Sequence, residues 1–215
     1  MERIELFATP VVLCELPDVV PYHGELVERL IAEARGGGGL ARSNAGGFHS
    51  RPDLSQRPEA CFQALMQAIC DRAAALVERL LTAAGKGPPA GHPGLTYGLT
   101  AWAMVMRDGD YAVPHDHGDS HFSSAYYLDA GDADEVAHPR SGVLSLVDPR
   151  RAGRSGQLGD GLDLFPSTFS VRPRTGLLVL FPGYLQHYVE PYRGSRPRVC
   201  VACNVTVGTQ WRGPA

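Results

Sequence analysis

Apolar residues recur at helical spacing in two segments of the first ninety residues. The first segment begins near His23 and ends at Gly36, where four consecutive glycines interrupt the pattern. Its apolar stripe consists of Leu26, Val27, Leu30, Ile31 and Ala34. The second segment follows Pro58 and Glu59, continues for about six turns and stops at Gly85. Its stripe consists of Phe62, Leu65, Met66, Ile69, Ala73, Leu76, Val77 and Leu80. The pattern predicts two amphipathic helices.

After the turn-rich connector GKGPPAGHPG, the period of the apolar pattern changes from 3.6 to 2. Short segments bounded by Gly or Pro then follow: LTYGLTAWAMVMR, FSSAYYL, SGVLSLVDP, TFSVRP, GLLVLFPG and RVCVACNVTV. Helices followed by short strands predict an α+β chain, with the two helices covering one face of an antiparallel sheet. A double-sheet jelly roll is the natural closure. We expect one domain, with residues 1–90 as mostly helical support and 95–210 as the jelly-roll core.

The composition is that of an ordinary globular domain. The chain has 215 residues, 44% hydrophobic and 20% charged, which is enough to bury one core. A formal net charge of -3 without a run of basic residues does not favour a nucleic-acid or lipid partner. The N-terminal segment has no signal-peptide pattern, and no apolar stretch approaches the roughly 18 residues that span a bilayer. We expect a cytoplasmic protein without a membrane partner, and a homodimer is compatible with the sequence.

The five cysteines do not form a disulfide framework, because their number is odd, and we expect reduced thiols. Cys200 and Cys203 spell CVAC, but they lie in the apolar run VCVACNV. Residues three apart on a strand point to opposite faces. We therefore interpret both thiols as core residues rather than as a redox pair or half of a zinc site.

Histidines are concentrated in one short stretch, VPHDHGDSHFSSAYYL, which begins at Val113. His115 and His117 are separated by one residue, so both side chains project to the same face of an extended chain. A distant strand must supply a third ligand, and His187 in FPGYLQHYV is the candidate. This spacing is typical of a facial triad, which holds non-haem Fe(II) and leaves positions open for cosubstrate and oxygen.

Two alternatives to this triad remain open. His117 and Asp119 also fit a His-x-acid pattern, and spacing alone does not decide between the two ligand sets. The other alternative is that His115, His117 and His121 are solvated loop histidines. A closed structural zinc site is not expected, because such sites use four ligands, usually including thiolates, and none is suitably spaced.

Arg198 follows His187 by eleven residues and begins the apolar strand RVCVACNV. Its guanidinium group presents a fork of donors that matches a carboxylate, and a charged group inside a barrel needs an anionic partner. A dicarboxylate cosubstrate would supply that partner. Arg196 is the fallback candidate, and the alternative is that both arginines flank a surface turn.

Tyr126 and Tyr127 point to opposite faces of their strand, so one of them faces the barrel interior. A hydroxyl there would contact the cosubstrate. We assign Tyr126 to this role and place Asn204 at the same pocket, with core packing as the alternative. In the glycine-rich loop after the first helix, Ser43 and Asn44 are interpreted as an Asx turn rather than as a substrate entrance.

The chain resembles a group of small 2-oxoglutarate- and Fe(II)-dependent oxygenases. The motifs that carry the resemblance occur in order along nearly the whole chain, as RSNAGGFHS at 42–50, HDHGDSHFSSAYY at 115–127, DPR at 148–150, FPGYLQH at 181–187 and RVCVACN at 198–204. Two positions depart from the pattern of the group. Gly118 and Asp119 stand where the group commonly has Pro-Gly, and Ser124 replaces a usual glycine.

The resemblance implies a double-stranded β-helix in which His115, His117 and His187 hold iron and Arg198 anchors 2-oxoglutarate. Because an acidic ligand at Asp119 would be peculiar to this chain, the resemblance favours the all-histidine set. It implies a dioxygenase that hydroxylates a small-molecule or peptide substrate, which the sequence does not name. The rival hypotheses are a three-histidine dioxygenase that needs no cosubstrate and a non-catalytic, ligand-binding jelly roll.

Overall fold

Two helices of the N-terminal region pack on one side of the protein. The computed structural model describes residues 7–86, 94–150, 157–158, 162–163 and 166–209. Helix α1 spans His23–Gly36 and helix α2 spans Ala60–Ala83, which confirms both predicted helices. Each follows a short 3-10 helix, at Pro17–Tyr22 and Leu54–Gln56. Helix α1 ends where Gly37 adopts a φ of 76°, a conformation that favours glycine.

The strands form two larger antiparallel sheets and a two-stranded ribbon. They are β1 (Val12–Glu15), β2 (Asn44–Ala45), β3 (Phe48–His49), β4 (Leu95–Met106), β5 (Tyr111–His115), β6 (Phe122–Asp129), β7 (Leu144–Val147), β8 (Gln157–Leu158), β9 (Leu162–Asp163), β10 (Thr168–Val171), β11 (Leu177–Pro182), β12 (His187–Val189) and β13 (Arg198–Thr209). The six-stranded sheet has the order β1-β11-β6-β13-β4-β3, and the five-stranded sheet has the order β10-β7-β12-β5-β2. Strands β8 and β9 form the ribbon. Helices together with antiparallel sheets confirm the predicted α+β composition.

Strand β13 shows why the six-stranded sheet is apolar on both faces. Val199, Val201 and Cys203 belong to the core beneath the helices, whereas Cys200 belongs to the core between the two sheets. The two cysteines are therefore buried on opposite faces, as the alternation predicts. Burial raises the pKa of both thiols, that of Cys203 to about 12. All five cysteines are free.

Helix α2 packs its apolar stripe into the core beneath the helices. Seven of the eight predicted positions are buried, and the exception is Leu80, which is 39% exposed. By length and composition, this helix would also qualify as a membrane-spanning segment, contrary to our expectation that no stretch approaches that length. Its buried side chains contact the sheet, which is the usual arrangement of a core helix in a folded domain.

The first ninety residues also contribute three short strands that the apolar pattern does not predict. Strand β1 pairs with β11, β2 pairs with β5, and β3 pairs with β4. The turn between β2 and β3 contains Gly46 and Gly47, both with positive φ, and it joins the edges of the two sheets. The Asn44 side chain holds this turn, because its Oδ1 accepts from the Arg42 N–H at 2.8 Å and its Nδ2 donates to the Gly46 carbonyl at 3.2 Å.

Candidate metal centre

Three histidines meet at one end of the five-stranded sheet. Strand β5 ends at His115 and β12 begins at His187, and the pairing places these two residues directly opposite each other. Opposite residues of an antiparallel pair project to the same face of the sheet. His117 follows two residues after β5, and its N–H donates to the carbonyl of Gly183 at 2.8 Å. One ring nitrogen from each histidine lies within 4.8 Å of the other two, so the structure brings the predicted set together.

Hydrogen bonds to the backbone orient two of the three imidazole rings. Nδ1 of His115 lies 2.7 Å from the Val113 carbonyl oxygen, and Nδ1 of His187 lies 2.9 Å from the Leu185 carbonyl oxygen. A carbonyl oxygen only accepts hydrogen bonds, so Nδ1 carries the proton in both rings and Nε2 keeps its lone pair. The ring centroids of His115 and His187 are 4.3 Å apart. Both Nε2 atoms are therefore in the form that binds a metal.

Burial lowers the pKa of all three imidazoles. It lowers the pKa of His187 to about 3 and that of His117 to about 4, and the neighbouring His115 ring is the second cause in both cases. For His115 itself, burial lowers the pKa while the hydrogen bond to Val113 opposes the shift. At neutral pH the three rings are therefore uncharged, as metal binding requires.

Asp119, the alternative acidic ligand, is exposed and lies outside the histidine cluster. In the described ranges, the group of side chains placed to share a metal contains only the three histidines. His121 is also exposed, and its Nδ1 accepts a hydrogen bond from the N–H of Val207 at 3.1 Å. The geometry favours the all-histidine set.

Arg198 extends from the six-stranded sheet into the same cavity. It is 1% exposed, its Nη1 lies 3.3 Å from the Met106 sulfur, and its guanidinium carbon lies 4.9 Å from the centre of the Tyr127 ring. Its Nε has no hydrogen-bond partner among the described residues. None of the ion pairs formed within the described part of the chain involves Arg198. A buried cation without an anion is costly, so an anion bound in the cavity would stabilise this guanidinium.

One cavity connects the three histidines with Arg198. It holds about 540 Å³ of space between the two sheets, including the open solvent at its mouth. Much of the remaining lining is apolar and includes Trp102, Met104, Met106, Leu144, Phe181 and Cys200. Among the described lining residues, Arg198 is the only permanently charged side chain. An anion that enters this cavity therefore has one dominant binding group.

The structure corrects the assignment of Tyr126 to the cosubstrate pocket. Tyr126 faces the helices, where its hydroxyl oxygen lies 2.7 Å from Nε2 of His23 in α1. Tyr127 lines the cavity instead, and its buried hydroxyl has no hydrogen-bond partner in the described part of the chain. Burial raises the pKa of Tyr127 to about 12, so the hydroxyl remains a hydrogen-bond donor. Because side chains alternate along a strand, only one of the two tyrosines can face the cavity. The register of β6 in the sheet decides which one does.

The structure also corrects the roles given to Arg196 and Asn204. The Arg196 side chain is 59% exposed, and its Nη2 pairs with Asp129 at 3.0 Å, so it already has a carboxylate partner outside the cavity. Asn204 does not line the cavity, although its Oδ1 is buried and has no hydrogen-bond partner within the described ranges. Neither residue is placed to contact a ligand beside Arg198.

Two residues near the histidines do not emerge from the sequence analysis. The Trp102 ring stacks on His49 with centroids 5.5 Å apart, and it lies 5.4 Å from the His117 ring. Trp102 lines the cavity, and His49 is 6% exposed. The motif RSNAGGFHS contains His49 and is a usable signal, but only the pairing of β3 with β4 brings it beside Trp102.

One cavity is thus lined by three imidazoles that could share a metal ion and by a buried arginine without an ion-pair partner among the described residues. Residues 100–204 match the protein-family model described as "Putative 2OG-Fe(II) oxygenase", and this segment contains all three histidines and Arg198. This match confirms the predicted resemblance to the small oxygenases that use iron and 2-oxoglutarate. A comparison with curated proteins finds no match.

Several solved structures share the fold at low sequence identity. A prolyl-4-hydroxylase from Pseudomonas putida has 19% identity and a TM-score of 0.52, with 94% of each chain covered. AviO1 from Streptomyces viridochromogenes Tue57 has 16% identity and a TM-score of 0.58, with 96% of this chain and 93% of AviO1 covered. HygX from Streptomyces hygroscopicus, solved with nickel and 2-oxoglutarate bound, has 17% identity and a TM-score of 0.52, with 95% and 86% covered.

Proposed function

We propose that the protein is a dioxygenase that uses Fe(II) and 2-oxoglutarate to hydroxylate a small-molecule or peptide substrate. The observation that carries the proposal is the position of Arg198. This buried guanidinium shares one cavity with the three-histidine cluster and has no carboxylate partner among the described residues. A dicarboxylate in the cavity would reach the metal with one end and Arg198 with the other.

The donor set fits Fe(II). In the proposal, His115, His117 and His187 hold the metal through neutral imidazole nitrogens and leave positions open for cosubstrate and oxygen. Iron and 2-oxoglutarate, when bound, supply the oxidising chemistry. Arg198 would bind a carboxylate of the cosubstrate as a charge-assisted pair, and the neighbouring Tyr127 hydroxyl would be available to donate a second hydrogen bond. The apolar lining keeps bulk water away from these groups.

The two rival hypotheses account less well for the residues that line the cavity. A three-histidine dioxygenase without cosubstrate needs no buried arginine, and the Arg198 Nε and the Tyr127 hydroxyl would both stay unpaired. A ligand-binding jelly roll would not need three imidazoles with their ring nitrogens within 4.8 Å of one another. HygX structures with iron, or with nickel and 2-oxoglutarate, share the fold and support the oxygenase proposal.

We propose that the two sheets close as a double-stranded β-helix, or jelly roll. The support is that the strands alternate between the sheets from β4 to β7 and again from β10 to β13. Strands β4, β6, β11 and β13 lie in the six-stranded sheet, whereas β5, β7, β10 and β12 lie in the five-stranded sheet. In this arrangement, residues 95–210 form the catalytic core, and residues 1–90 support it as part of one domain.

We further propose a cytoplasmic location without a nucleic-acid or membrane partner. The support is the net charge of -3, the lack of a basic run in the sequence and the packing of α2 in the core. Fractionation of the producing cell tests the location. Sedimentation of the purified protein tests whether it is a homodimer.

Iron uptake tests the metal site. Purified without oxygen, the wild type should bind about one Fe(II) per chain. His187→Ala should abolish tight uptake, because the two remaining ligands cannot hold a labile divalent ion. His121→Ala is the matched control, since His121 belongs to the same histidine-rich stretch but is exposed and outside the cluster. The measurement is bound iron per chain after desalting.

Addition of 2-oxoglutarate to the anaerobic Fe(II) protein should then produce a visible charge-transfer band. Iron binding without this band would favour the three-histidine dioxygenase. No iron binding in the wild type would favour the ligand-binding jelly roll. Asp119→Ala should leave iron uptake unchanged. A loss of iron uptake in this variant would instead favour His117 and Asp119 as the first two metal ligands.

A further inference from the structure

A tight turn separates the last strand before His187 from His187 itself. Strand β11 ends at Pro182, and the N–H of Leu185 donates to the Pro182 carbonyl at 3.0 Å, which closes the turn. Gly183 lies buried in this turn, four residues before His187. The turn therefore fixes where β12 begins and where the His187 side chain enters the cavity.

The backbone of Gly183 is hydrogen-bonded to the loop that carries His117. The N–H of His117 donates to the Gly183 carbonyl at 2.8 Å, and the N–H of Gly183 donates to the His121 carbonyl at 3.0 Å. The N–H of Ser120 donates to the His117 carbonyl at 2.8 Å, so the loop makes its own turn above the glycine. Gly183 thus joins the loop that carries His117 to the turn that precedes His187.

This contact leaves no room for a side chain at position 183. A Cβ atom added to Gly183 would lie 2.7 Å from the His117 carbonyl oxygen and closer still to the Ser120 carbonyl oxygen. Both neighbours are backbone atoms, which cannot rotate away as a side chain can. Any larger residue would therefore displace the loop of His117 or the turn before His187.

We propose that Gly183 is a positioning residue of the metal centre, which sets the distance between the imidazoles of His117 and His187. The inference rests on the proposed function, because it assumes that these histidines hold the metal. Gly183 does not have a positive φ. A glycine is needed there because the backbone of the His117 loop approaches it too closely for a side chain. A displaced His117 would leave two imidazoles correctly placed and one misaligned.

Cobalt binding provides a test that does not depend on activity. Co(II) is added to metal-free wild type and to Gly183→Ala, and the visible d–d absorption gives both the affinity and the ligand geometry. We expect the Gly183→Ala protein to bind Co(II) roughly 10- to 100-fold more weakly, as is typical when support of a ligand is lost. Its spectrum at saturation should also differ from that of the wild type, which a loss of stability alone would not cause.

Gly98→Ala is the matched control. Gly98 lies in β4 and does not line the cavity, and a Cβ atom there would crowd only the side-chain hydroxyl of Thr206. It should keep wild-type affinity and spectrum. If Gly183→Ala does not fold, insertion of one glycine after the exposed Asp119 loosens the same loop without adding atoms to the interior, and it should weaken Co(II) binding similarly. The inference would be overturned if Gly183→Ala kept the wild-type Co(II) affinity and spectrum. If Gly183→Ala does not fold, the same result in the insertion variant would overturn it. Equal weakening of Co(II) binding in Gly98→Ala would also overturn it. Failure of the wild type to bind Co(II) would instead refute the proposed metal site.

Discussion

Arg198 and Arg196 are two positions apart, but they differ in burial and in partner. Arg198 is 1% exposed and unpaired at Nε, whereas Arg196 is exposed and pairs with Asp129. In the proposed enzyme, truncation of Arg198 leaves the distal carboxylate of 2-oxoglutarate buried without a cation. Arg198→Ala should therefore weaken 2-oxoglutarate binding by about 2 to 5 kcal/mol. Anaerobic titration of the charge-transfer band measures this effect.

Arg196→Ala is the control, and it should titrate like the wild type. Iron uptake should be unchanged in both variants, because neither arginine is placed to bind the metal. A normal titration in Arg198→Ala, or a loss of the band in Arg196→Ala, would contradict the assignment of the anchor.

At the scale of single residues, the sequence predicts the histidines and Arg198 but assigns the wrong tyrosine. His115 and His117 are two apart, and His187 and Arg198 lie in recognisable motifs, so chemistry and spacing suffice to select them. The choice between Tyr126 and Tyr127 depends on which face of β6 meets the helices. That choice is made by the pairing of β6 with β11 and β13, which local alternation does not specify.

At the scale of elements, helix α2 has a regular apolar pattern that predicts its buried face. Leu65 is fully buried in the core beneath the helices, on the face of the six-stranded sheet opposite the cavity. Leu65→Ala should lower the free energy of unfolding by about 2 to 5 kcal/mol. Chemical denaturation of the metal-free protein measures the change, with Gln67→Ala on the exposed side of α2 as the control.

The folded fraction of Leu65→Ala should still bind one metal ion with wild-type affinity, because the site lies between the sheets. A large loss of metal affinity at a temperature where this variant is folded would show that the helix layer and the metal site are coupled. The same denaturation midpoint for Leu65→Ala and the wild type would show that this contact contributes little to stability.

Short strands are the elements that the sequence does not predict. Strand β5 contains Pro114 and no clear alternation, and β2 and β3 contain two residues each. Such segments have too few apolar positions to show a period, and their partners in the sheets define them. Strand β5 nevertheless ends at His115, and its pairing with β12 places His115 opposite His187. The alignment of these two histidines therefore depends on a strand that only the tertiary structure reveals.

At the scale of the whole molecule, the site exists only because the two sheets face each other. His115 and His187 belong to the five-stranded sheet, His117 lies in the loop after β5, and Arg198 and Tyr127 belong to the six-stranded sheet. Family motifs predict that these residues act together, but the distances between them follow from packing of the sheets. Burial between the sheets also shifts the imidazole pKa values, and this shift makes the stability of the protein depend on pH.

The metal-free protein should lose stability as the pH falls below about 6.5. The pKa of His187 in the folded protein is about 3 and that of His117 is about 4, whereas both rings titrate near 6.5 in the unfolded chain. Between these values the unfolded chain binds more protons than the folded protein, so the free energy of unfolding decreases as the pH falls. His23 and His49, whose pKa values burial also lowers, act in the same direction.

Urea denaturation of metal-free wild type and His187→Gln, at several pH values between 7.5 and 4.5, isolates the contribution of His187. This range stays above the ordinary pKa of aspartate, so the depressed pKa values of Asp132, Asp134 and Asp148 contribute little to it. The wild type should lose more stability than the variant over this range, because glutamine does not titrate. Equal slopes in the two proteins would mean that the His187 imidazole is hydrated when the metal is absent, and that the cavity opens to water without its ligands.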